Sequence, residues 1–99
     1  MKIKSGVRVH GLRPEALLII IAAAEVWRSQ GQALTITSVI DGRHKRKSFH
    51  YSGAAVDFRI WDIDAKRATT DLAAALGEDY VVILESDHIH AHYQPERMI

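Results

Sequence analysis

The chain has 99 residues, which is room for one domain with a small core and not for two. Hydrophobic residues make up 47% and charged residues 25%, a globular balance that excludes a disordered chain. Thirteen basic against twelve acidic residues give a net charge of +1 and no electrostatic case for nucleic acid or membrane as partner. The absence of cysteine excludes disulfides, thiolate metal sites and a cysteine nucleophile.

Along the chain, residues 2–11 alternate weakly and predict a brief entry segment or edge strand ending at Gly11. Lys2 and Lys4 lead into no apolar run with a cleavage site, so no secretory signal is read. Pro14 and Glu15 suit a first helical turn, and Gly31 suits a stop, predicting a helix over 14–30. Apolar residues at 17, 18, 20, 21, 24 and 27 are expected to form its buried stripe. Residues 16–26 are the longest apolar stretch, but Glu15, Glu25 and Arg28 make it too short and too charged to span a bilayer.

Residues 33–40 are rich in β-branched side chains and predict a strand that Asp41 and Gly42 break. Residues 43–47 carry four basic side chains around His44 and predict an exposed loop. A second strand follows from Ala55 to near Trp61, whose indole is expected in the core. Asp62 or Asp64 then caps a helix over 64–76 with Gly77 as its stop. Residues 80–84 and 88–93 read as a terminal hairpin turning at Ser86 and Asp87. This order predicts an α+β domain over residues 1–99, a small and mainly antiparallel sheet with two principal helices packed on one face.

Two clusters carry chemistry. His88, His90 and His92 alternate along one predicted strand, so their side chains share a face, and Glu85 and Asp87 precede them. Imidazole and carboxylate together are a common ligand set for zinc, whereas any one of these histidines alone is more simply a solvent-facing side chain. In the second cluster, Asp57 lies in an apolar strand and needs a cation, a donor set or a metal to offset its desolvation. An ion pair with Arg59 or the basic loop and a metal site are equally good readings of Asp57 on chemistry alone.

The run Ser48-x-His50-x-x-Gly53-x-Ala55-x-Asp57 resembles the SxHxxGxAxD signature of the D-Ala-D-Ala metallopeptidase family. His88-x-His90 resembles the HxH element of the wider group that includes lysostaphin-type peptidases and hedgehog domains. The similarity covers about residues 37–60 and 80–92. It implies one zinc ion held by His50, Asp57 and His90, with a fourth position open to water as in catalytic zinc sites. It also implies His88 and Glu85 as catalytic groups and Arg43 as a substrate contact able to clamp a carboxylate. An alternative alignment takes Glu85-x-x-His88 as an ExxH element and makes His88 the ligand. His92 matches no position of the pattern and is expected at the surface or rim; Tyr51 and Trp61 are candidates to line the cleft, with core packing the preferred place for Trp61, and His10 and His44 receive no role.

The resemblance therefore implies a zinc metallopeptidase that hydrolyses an amide bond of peptidoglycan stem peptides, as a carboxypeptidase or an L-alanyl-D-glutamate endopeptidase. Zinc would lower the proton affinity of a water and polarise the scissile carbonyl. A phage or prophage endolysin, monomeric, made in the cytoplasm and acting on the cell wall after release, fits the lack of a visible signal. The competing expectation is a zinc-binding module without turnover, serving in wall binding or in a virion.

Overall fold

A computed structural model describes residues 1–7, 12–40 and 54–95. The elements run β1 (Lys2–Ile3), α1 (Pro14–Ser29), β2 (Thr35–Ile40), β3 (Ala55–Arg59), α2 (Ala65–Leu76), β4 (Tyr80–Leu84) and β5 (His88–Tyr93). The strands form one mixed sheet in the order β1-β2-β3-β5-β4. β1 runs parallel to β2, and the three remaining pairings are antiparallel, so the expected α+β layering holds. The basic loop at 43–47, with Arg43, Ser48, His50 and Tyr51, lies outside the described residues, as do His10 and His44.

Both helices cover the same face of the sheet. Alternation along the strands turns Ile36, Val56, Phe58, Ile89 and Ala91 toward them, and all five are buried. α2 starts where the Asp64 side chain accepts a hydrogen bond from the Arg67 amide at 3.1 Å, and it buries Ala68 and Leu72. α1 begins with Pro14 at its first turn and is followed by Gly31 at φ 77°, a left-handed stop.

The face that α1 buries differs from the expected stripe. Ala16, Ile19, Ile20, Ala23, Val26 and Trp27 are inside, whereas Leu17, Leu18 and Ile21 are 46%, 53% and 65% exposed. Residues 16–24 are apolar at every position, so periodicity there does not select a side. Packing does: Ala16 and Ala23, both at 0% exposure, are the positions where a small side chain lets the helix lie close to its neighbours. Trp27 fills the space beyond them, its ring centroid 5.5 Å from that of Phe58. Among the described residues, no helix is long and apolar enough to cross a membrane.

Candidate functional site

The helices pack on one face of β3 and β5, and the strand register assembles the other. Ala55 pairs with His92, Asp57 with His90 and Arg59 with His88, so two alternating rows of side chains meet across one antiparallel seam. The Asp57 carboxylate answers its desolvation there. Its Oδ1 lies 2.8 Å from His90 Nδ1, and its Oδ2 lies 3.8 Å from His88 Nε2. Among the described residues Asp57 meets these imidazoles and not Arg59; the basic loop, the other expected ion-pair partner, lies outside them. The Arg59 guanidinium instead sits 4.1 Å from the ring centroid of Trp61.

His88 is held from its other side, where Nδ1 lies 2.7 Å from Asp87 Oδ1. That hydrogen bond is the main reason the His88 pKa rises above its ordinary value, against a smaller desolvation effect; the charges of Asp57, Asp87 and Glu85 add to it. The same bond lowers the pKa of Asp87, a solvent-exposed group. Asp87 thus does more than form the turn. Glu85 supplies the backbone of that turn, its amide donating to the His88 carbonyl at 2.8 Å, and its side chain is exposed.

Beside Asp57 opens a cleft of about 360 Å³ lined by Lys4, Thr37, Ser38, Asp57, Arg59, Trp61, Asp87 and His88. The expectation that Trp61 packs in the core is wrong, for the residue is 68% exposed. It continues the alternation Asp57, Arg59 beyond the end of β3 and therefore falls on the polar side, where Arg59 covers its ring.

His92 is also more engaged than a rim position requires. His90 Nε2 and His92 Nδ1 are 2.8 Å apart, and His92 Nε2 lies 2.7 Å from Gln94 Oε1. The histidine row is therefore a chain of hydrogen bonds running from Asp57 to Gln94. The period-two spacing of the histidines placed His92 on this face, but only the side-chain rotamers join it to His90.

The described donors suit zinc in kind, one carboxylate oxygen and one imidazole nitrogen turned toward each other on a rigid seam. Among the described residues, no three His, Asp or Glu side chains form a group able to hold a metal ion. The third expected ligand, His50, and the expected substrate contact, Arg43, lie outside those residues. No protein-family model matches the chain, and neither a curated protein nor a solved structure matches it.

Proposed function

We propose that the face of β3 and β5 opposite the helices is the centre of a zinc-dependent peptidase acting on peptidoglycan stem peptides. The observation that carries the reading is the pairing of Asp57 with His90, whose facing donor atoms lie 2.8 Å apart on the side of the sheet away from the helices. The sequence motif supports it from a separate direction, since its metal-binding positions include these same two residues. Asp57 and His90 would hold the ion together with His50. When bound, zinc supplies a Lewis acid and an activated water, which suffices for amide hydrolysis without a protein nucleophile.

The remaining groups have roles that follow from their placement. His88 stands beside Asp57, and its hydrogen bond to Asp87 raises its pKa, which suits the ring to the role of proton donor to a leaving amine. Asp87 orients that ring through Nδ1 and leaves Nε2 directed to the Asp57 side. Glu85 remains the proposed general base, and Arg43 the proposed carboxylate clamp. The cleft beside Asp57, lined by both basic (Lys4, Arg59) and acidic (Asp57, Asp87) side chains, offers room for an extended peptide beside the proposed centre. Action on the wall after synthesis in the cytoplasm belongs to the same proposal.

The test is mass spectrometry of fragments released from purified peptidoglycan, with chelator and with zinc restored. Release that stops with chelator and returns with zinc is the expected result, and the new termini identify the bond. Zinc bound without release from several wall chemistries points instead to a binding module.

A further inference from the structure

The two edges of the sheet are built differently. β1 forms one edge with two residues, one of them Lys2, and so short a strand carrying a lysine is a poor template for further pairing. β4 forms the other edge with Tyr80–Leu84, five residues without a charge, a proline or a glycine, and Ile83 among them is 40% exposed. We propose that the β4 edge takes up an extended peptide segment as a further antiparallel strand, and that this segment carries a basic residue at each end of a short apolar run. The inference is independent of the zinc reading.

The ladder between β4 and β5 defines what the edge offers. The Glu85 amide donates to the His88 carbonyl, and the Gln94 amide donates to the Asp79 carbonyl. These bonds mark the hydrogen-bonded pairs at the two ends of the ladder, and antiparallel alternation makes Val81 with His92 and Ile83 with His90 the hydrogen-bonded pairs between them. Tyr80, Val82 and Leu84 therefore turn their backbone groups outward. The Tyr80 amide folds back to the Gly77 carbonyl at 3.3 Å, which leaves the Tyr80 carbonyl and both backbone groups of Val82 and Leu84 at the edge without a backbone partner among the described residues. A strand laid alongside completes them.

Side chains define the occupant. Tyr80, Val82 and Leu84 pack against the core, and Val81 and Ile83 alternate to the other face. On that second face Asp79 precedes the strand and Glu85 follows it, both exposed. An added strand thus meets apolar side chains along its middle and a carboxylate near each end, and basic residues at its two ends complement them. A second copy of the chain fits poorly, because antiparallel pairing of two β4 strands about Val82 sets Asp79 of each copy against Glu85 of the other, with like charges directly opposed. The antiparallel direction continues the pattern of the neighbouring pairs and is the more stable per residue.

The probe is a fluorescein-labelled heptapeptide, Lys-Val-Thr-Val-Thr-Val-Lys with blocked ends, titrated with the full chain and followed by anisotropy. Its first residue stands opposite Glu85, its fourth opposite Val82 and its seventh opposite Asp79. Saturable binding is expected. N-methylation of the fourth residue, whose amide meets the edge, is expected to weaken it about tenfold or more, and N-methylation of the third, whose amide points away, to change it little. Glutamate at the seventh position is expected to weaken binding about fivefold; Asp79→Lys restores it for that peptide and weakens it further for the peptide with glutamate at the first position instead. No saturable binding, a loss from the third methylation as large as from the fourth, or no restoration by Asp79→Lys overturns the inference. A chain that sediments as a dimer without peptide and as a monomer after Val82→Pro, which removes an outward donor, overturns it in favour of a second copy at this edge.

Discussion

Asp57 stands between Val56 and Phe58, both buried, and an ionised carboxylate so placed is unfavourable unless its neighbours supply hydrogen-bond donors or charge. Alternation solves half of the problem by turning Asp57 to the opposite face, and the register with β5 solves the rest by setting His90 against it. Asp57 was legible in the sequence as a residue in need of a partner; which partner was not, because that depends on pairing between strands 33 residues apart. Trp61 shows the opposite case. Its size suggests burial, but its place in the alternation puts it beside Arg59, and position prevails over size. The two tryptophans should therefore separate in urea denaturation. Trp27→Ala removes a side chain that is 1% exposed and is expected to cost about 3–5 kcal/mol, whereas Trp61→Ala loses a surface contact with Arg59 worth at most about 1 kcal/mol. Comparable losses would mean that Trp61 packs inside after all.

At the level of elements, the start of α2 is secured from two directions. The Asp64 carboxylate accepts from the Arg67 amide, and the Gln30 side chain both accepts from the Asp64 amide at 2.7 Å and donates to its carbonyl at 3.2 Å. The end of α1 is thereby tied to the cap of α2. Asp64→Ala is expected to lower stability by about 1 kcal/mol and to speed hydrogen exchange at the Arg67 amide, with the Gln30 contacts retained because they involve only backbone of residue 64. Unchanged exchange at Arg67 would refute the cap. Such boundaries were readable, since Pro14, Gly31, Asp64 and Gly77 act locally. The inward face of α1 was not, because nine successive apolar residues carry no periodic signal and the choice belongs to the sheet and α2. The terminal hairpin was readable for a related reason: Ile89 and Ala91 alternate with three histidines, and only one of the two sets can face a core.

Across the whole molecule, the sheet divides two kinds of chemistry, with helices and apolar packing on one side and the histidine row with its cleft on the other. Tyr80 joins the parts of the packed side. It begins β4, packs its ring against that of Tyr93 on β5 with centroids 5.2 Å apart and planes tilted by 56°, and lies within electrostatic reach of Glu15 in the first turn of α1. Burial raises the pKa of its phenol above 10, and the negative charges of Glu15 and Asp79 act in the same direction, as does Tyr93. The sign follows from linkage. A phenol whose folded pKa exceeds its unfolded value releases its proton more readily once the chain unfolds, so its contribution to stability is complete below about pH 10 and declines as pH rises toward the folded pKa. Stability should therefore fall on the alkaline side in wild type and fall less steeply in Tyr80→Phe, which keeps the ring contact with Tyr93 and has no proton to lose. Urea denaturation between pH 9 and 11, with phenolate absorbance followed in parallel, measures both. Identical alkaline slopes in the two proteins would show that Tyr80 titrates as freely in the folded chain as in the unfolded one, and that the first turn of α1 does not approach the sheet edge closely enough to be felt there.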